Sequence, residues 1–167
     1  MFSPFVLFEV VNAVLLYFVQ HAEAKKEADD PTRGLTDKGF RDIALTALFA
    51  HDQGVTVSRI YHSGIKRAQQ TAQALADQVH PKEGMSEADW LAPMDDPKIW
   101  KERLSNMQED IMLVSHLPYL AKLASLLLCG DGSKNVVDFK NAGIVCLKRF
   151  DDGHWAVKWM VMPDMVG

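Results

Sequence analysis

Cysteine is scarce in this 167-residue chain: Cys129 and Cys146 stand alone, with no CxxC and no paired histidine spacing beside them. The pattern offers neither a disulfide framework nor a zinc site, and it suits a reducing cytoplasm. Basic runs are missing too, and 18 Lys and Arg against 22 Asp and Glu leave a formal charge of −4. That balance argues against nucleic acid or a membrane surface as partner, while leaving room for a local basic pocket. Repeats, low-complexity tracts and linker-like stretches are also lacking, so the chain reads as one domain. Apolar side chains are plentiful, at 48%. This excludes disorder and suffices for one sizeable core.

The most apolar stretch is residues 1–19. It has no Lys or Arg before position 25, contains Glu9 and Asn12, and lacks a small-residue cleavage site. A signal peptide or membrane span is therefore the less favoured reading of it. Val14 to Val19 reads as a buried parallel strand. Residues 1–13 are then an N-terminal extension of unspecified role, and residues 14–167 form the domain.

Beyond this strand, the polar stretch Ala22 to Gly34 is a loop, and Thr36 caps a helix. Phe40, Ile43, Ala44, Ala47 and Leu48 predict its buried face, and Gly54 its stop. Val55 to His62 predicts a second strand, and Ile65 to Val79 a helix. Asp96-Pro97 opens a further helix through Met107. Asp110 to Ser115 predicts a third buried strand, and Pro118 to Cys129 a helix closed by Gly130. Gly143 to Phe150 and Trp155 to Met162 predict a hairpin around Asp151-Asp152-Gly153, with Trp155, Val157, Trp159 and Val161 on one face. The alternation predicts a three-layer α/β/α sandwich whose mostly parallel sheet ends in an antiparallel C-terminal hairpin.

Ligands of such a sheet bind beyond the carboxyl ends of its strands. Three predicted strands end there, running into Gln20-His21, His62-Ser63-Gly64 and Ser115-His116. Arg67 follows close behind the second. Two histidines and an arginine at one sheet edge make an anion site, because guanidinium and helix-terminal N–H groups both point donors at oxygen. His51, His80 and His154 lack such placement and read as ordinary surface residues. No metal-ligand spacing and no cofactor motif is present, so neither a metal nor a cofactor is expected.

The segments Phe18-Val-Gln-His21-Ala-Glu-Ala24, Leu35-Thr-Asp-Lys-Gly39, Tyr61-His-Ser-Gly-Ile-Lys-Arg67-Ala-Gln-Gln-Thr-Ala72 and Val114-Ser-His116-Leu-Pro118 together resemble the histidine phosphatase (phosphoglycerate-mutase-like) superfamily. The likeness runs from about residue 15 to residue 162 and is nearest to its small phosphohistidine phosphatase branch. The resemblance implies that His21 is the nucleophile that becomes phosphorylated. It implies that Arg67 grips the phosphoryl group, with Ser63 opening the same segment, and that His116 stabilises phosphoryl charge. Lys38 and Gly39 match a segment that is not catalytic. The family normally shows Arg-His-Gly where this chain has Gln20-His21-Ala22, so one phosphate-gripping arginine is missing.

The expected activity is hydrolysis of phosphohistidine on a protein, such as a histidine-containing phosphotransfer domain in signal transduction. The expected partners are a phosphorylated protein or a small phosphate ester, with phosphate or sulfate able to fill the pocket. Short connections around the site favour the protein. Two readings compete: a weakened phosphate- or phosphoprotein-binding module, motivated by Gln20, and a small-molecule phosphomonoesterase. Glu23 is the nearest candidate acid, with Asp29 or Asp30 behind it. Gln20, Ser63 and Glu23 complete the expected substrate contacts.

Overall fold

The computed structural model describes residues 13–167, so the expected N-terminal extension lies outside the described residues apart from Ala13. In chain order the elements are β1 (Val14–Gln20), α1 (Asp37–Asp52), β2 (Arg59–His62), α2 (Lys66–Val79), β3 (Met85–Glu87), α3 (Pro97–Asn106), β4 (Ile111–Ser115), α4 (Tyr119–Cys129), β5 (Ile144–Arg149) and β6 (Trp155–Val161). A 3-10 turn, Pro163–Met165, follows. The strands form one sheet in the order β3-β2-β4-β1-β5-β6. β3, β2, β4 and β1 run parallel, while β5 is antiparallel to both β1 and β6.

Both faces of the sheet are covered, which explains why β1 and β4 read as nearly unbroken apolar runs. Val19, Met112 and Val114 face one core with Ile43 and Ala47 of α1 and Ala72 and Leu75 of α2. Leu16, Phe18 and Leu113 face the other with Trp100 and Leu104 of α3 and Leu120 and Leu123 of α4. The fold is the three-layer α/β/α sandwich with an antiparallel C-terminal hairpin.

Four local expectations need correction. Val55 and Val57 are buried, but the strand ladder starts only at Arg59. Arg59 lies opposite Ile111, the first residue of β4, so earlier residues have no strand to pair with. β3 is an added edge strand of three residues, too short to show alternation. On α1 the buried face is Gly39, Ile43, Thr46, Ala47 and Ala50, while Phe40, Ala44 and Leu48 point to solvent. The small residues let α1 lie close to its neighbours. Finally, a bulge leaves Lys158 unpaired between Trp159, the partner of Cys146, and Val157, the partner of Leu147. The extra residue reverses the in–out phase of β6. Trp155 therefore joins one core, whereas Val161 joins the other with Trp159 packed against it.

The start of α1 is held tightly against the segment after β1. Thr36 Oγ1 accepts from Gly39 N at 2.9 Å, an N-cap worth about 1 kcal/mol. A Cβ at Gly39 would collide with the Glu23 carbonyl. Only glycine permits that approach.

Candidate functional site

The register of the central strands brings the two histidines together. β1 and β4 are parallel neighbours with Gln20 opposite Ser115, so His21 and His116 leave the sheet side by side. His21 N donates to Ser115 O at 3.0 Å, and the imidazole centroids are 5.0 Å apart. β2, on the other side of β4, supplies Ser63. Its Oγ is 2.7 Å from His116 Nε2. The turn carrying Ser63 is set by buried His62, whose Nδ1 accepts from Gly64 N at 3.1 Å. Gly64 has φ +80°, and the Glu87 carboxylate occupies the space a side chain there would need.

Arg67 sits in the first turn of α2, and its Nε donates to His21 Nε2 at 3.2 Å. On the opposite side of the ring, His21 Nδ1 lies 2.7 Å from Ala22 O. A carbonyl accepts only from N–H, so Nδ1 carries the proton and Nε2 presents its lone pair to the guanidinium. The two bonds select the same tautomer. Thr71 Oγ1 links the strand to the helix, accepting from Ala22 N at 3.0 Å and donating to Arg67 O at 2.7 Å.

The residues just before β5 hold the main chain of this loop in place. Asn141 Nδ2 donates to His21 O at 2.7 Å, and Ala142 N donates to Gln20 O at 3.0 Å. Reading the sequence did not single out Asn141. Its position just before an antiparallel strand that starts at the same sheet edge was the available signal. Gln20 Oε1 is buried and finds no partner among the described residues, and the same holds for His116 Nδ1.

The carboxylates lie elsewhere. Glu23 Oε1 accepts from Thr36 Oγ1 at 2.8 Å, which ties that side chain to the cap of α1. Asp30 accepts from Thr32 N, Thr32 Oγ1 and Gly34 N. These bonds hold its carboxyl well below the usual range, so it stays ionised and stitches its own loop. Asp29 is exposed. The structure thus brings together His21, Arg67, His116, Ser63 and the Gln20 backbone, and it leaves Glu23 and Asp30 committed to loop and cap. Among the described residues, no group of three or more His, Cys, Asp or Glu is placed to hold a metal ion. No helix among them is long and apolar enough to cross a membrane.

Burial is the largest influence on both imidazoles, pushing His21 down to about 4 and His116 down to about 3. The positive charges of Arg67 and Arg33 act on both rings in the same direction, and His21 adds to the effect on His116. Both rings are therefore neutral at pH 7. The unfolded chain protonates them near the ordinary value of about 6.5. As pH falls from about 7 towards 4, the unfolded state takes up protons that the folded state refuses, and stability drops. Each ring contributes about 1.4 kcal/mol per pH unit across its window. We expect the melting temperature to fall between pH 7 and pH 5, with a shallower fall in His116→Asn. An unchanged slope in that variant would mean His116 is not the buried neutral ring described.

Fold and cluster together define a class: α/β domains that present a histidine pair and an arginine at the carboxyl edge of a parallel sheet. The chain belongs to the histidine phosphatase superfamily; the profile of that superfamily's branch 1 matches residues 16–101, more than half of the sequence. It is similar to the phosphohistidine phosphatase SixA of Escherichia coli K12, with 23% identity over 153 residues, covering 89% of this chain and 93% of that protein. The solved structure of the protein histidine phosphatase SixA complexed with tungstate superposes with a TM-score of 0.82. It shares 21% identity and covers 92% of this chain and 100% of its own. A phosphoserine phosphatase of Entamoeba histolytica is also similar, with a TM-score of 0.67, 16% identity and coverage of 88% and 96%.

Proposed function

We propose that the protein is a phosphatase that works through a phosphohistidine intermediate on His21. The observation that carries this reading is the pair of bonds on the His21 ring, Nδ1 to the Ala22 carbonyl and Arg67 Nε to Nε2. They hold a neutral imidazole with its lone pair against the guanidinium that would grip a phosphoryl group. When substrate arrives, Arg67 turns its N–H groups from that lone pair to the equatorial phosphoryl oxygens. Nε2 then attacks phosphorus in line, the bond to the leaving atom breaks, and the leaving group takes up a proton. Water cleaves the P–N bond and releases phosphate. His116, braced by Ser63, stands ready as a donor; its ring is kept neutral chiefly by burial, and an incoming anion would offset the further effect of the Arg67 and Arg33 charges.

The substrate we favour is phosphohistidine on a protein. An imidazole leaving group departs once protonated and makes little demand on a dedicated acid, whereas an alkoxide needs one. Glu23 and Asp30 are otherwise engaged, which fits the easier leaving group. His21, Ser63 and Arg67 are half-buried, so a side chain on a protein surface can reach them. The names of the SixA relatives point the same way, while that of the phosphoserine phosphatase keeps a small phosphate ester as the second reading.

Gln20 bears on the rate. Arginine there would add a charged fork, where glutamine offers a neutral amide. The difference between a charge-assisted and a neutral hydrogen bond, about 1–2 kcal/mol, corresponds to about a 5- to 30-fold rate. We expect measurable turnover of a phosphohistidine protein by the native enzyme and a gain in Gln20→Arg. Binding of the phosphoprotein without turnover, unchanged in Gln20→Arg, would establish the binding-module reading instead. Turnover of a chromogenic phosphate ester but not of the phosphohistidine protein would assign a small-molecule phosphatase.

A further inference from the structure

We infer that Arg33 is a second phosphoryl-binding guanidinium, reaching the site from the loop after β1 and supplying the charge that Gln20 does not. The inference rests on the phosphatase reading of the site and adds to it a residue that the sequence motifs leave out. Arg33 lies in the loop from Ala24 to Leu35, which is closed at its base by pairing of those two residues and by Lys25 N donating to Gly34 O at 2.8 Å. The loop is fastened to the helix that carries Arg67. Leu35 N donates to Gln70 Oε1 and Lys66 Nζ to Thr32 Oγ1, both at 2.8 Å, and Lys66 pairs with Asp30 at 3.8 Å.

The backbone of Arg33 is in the left-handed region, with φ +49°. Such a conformation is costly for a residue with a Cβ and persists where surrounding bonds enforce it. Here Arg33 N donates to Asp30 O at 2.8 Å, and the Asp30 carboxylate holds the residues on either side. The side chain is also held, through Nε donating to Lys25 O at 3.1 Å. No carboxylate among the described residues pairs with Arg33 or with Arg67. Two cations near each other with no anion between them repel, and a bound anion removes that repulsion. The bonds from Leu35 to Gln70 and from Lys66 to Thr32 hold the Arg33 loop alongside the start of α2, next to Arg67, and the charge of Arg33 acts on His21, His116 and Arg67 in the same direction. The two terminal nitrogens of Arg33 form no hydrogen bond among the described residues, leaving a fork free for oxygen.

The test is calorimetric titration of tungstate into the full chain, read beside kcat and KM on a phosphohistidine protein. Arg33→Ala should weaken tungstate binding by about 10- to 100-fold, with Arg33→Lys between it and the native protein. Adding Gln20→Arg to Arg33→Ala should restore most of the loss, since one charge then replaces the other. A melting temperature at or above that of the native protein in Arg33→Ala would show that the loss is not misfolding, because alanine removes the charge and leaves the fold. Native-like tungstate affinity in Arg33→Ala, alongside a large loss in Arg67→Ala, overturns the role of Arg33 and leaves the phosphatase reading standing. A native protein that binds no tungstate and turns over no phosphoprotein overturns both.

Discussion

His21→Ala is expected to abolish turnover, by at least about 10⁴-fold, because the proposed mechanism then loses the group that bonds to phosphorus and water is a poor substitute for imidazole. Quenching the native protein during turnover should leave phosphate on it that is labile to acid and stable to alkali, and peptide mapping should place it on His21. The core is spared, since His21 lies at the end of β1 and its ring is only partly enclosed. Circular dichroism of the variant should match that of the native protein. Near-native hydrolysis by His21→Ala would remove this residue as nucleophile and move attention to His116.

Arg67→Ala is expected to lower kcat/KM by about 10³-fold, the lower end of what an arginine contributes to phosphoryl transfer elsewhere. Two effects combine in this chain. The equatorial oxygens lose their forked donor, and the His21 ring loses the bond from Arg67 Nε at 3.2 Å. The Ala22 carbonyl still holds Nδ1, so the tautomer survives and the nucleophile remains competent. Arg67→Lys should recover little, because an ammonium cannot span two oxygens in a plane. Steady-state assay of both variants with tungstate titrations checks the point: unchanged anion affinity in Arg67→Ala would take Arg67 out of the pocket.

The site was legible where chemistry and strand ends coincide. His21 and His116 each follow an apolar run that can only be a buried strand, and their convergence follows from one rule about where ligands sit on open sheets. Arg67 was legible as an arginine at the start of the helix that follows the second strand, and its pairing with Ser63 through the resemblance. Arg33 and Asn141 were not, since neither lies on a periodic element. Arg33 depends on a left-handed backbone set by Asp30, and Asn141 acts through a main-chain carbonyl 120 residues away in sequence. Among the elements, β3 was too short to leave a pattern. The split of Trp155 from Trp159 hinges on one bulged residue, which alternation alone cannot reveal. On α1, apolar Phe40 and Leu48 outweighed glycine, threonine and alanine in the pattern, yet the small residues are the ones that pack.

The two edges of the sheet carry a consequence for how a protein partner can approach. An exposed strand invites another chain to extend the sheet by main-chain pairing. Here one edge is β3, only three residues long and ending in exposed Glu87. The other is β6, kinked by its bulge beside exposed Lys158. Shortness, charge and a bulge each discourage strand addition. The phosphorylated protein proposed as substrate would therefore gain little by lining its backbone alongside this one, and its recognition would fall to side chains and to the phosphoryl group at the carboxyl end of the strands. Contact of that kind would be small and quickly undone, and would suit a partner that leaves once its phosphate has been taken.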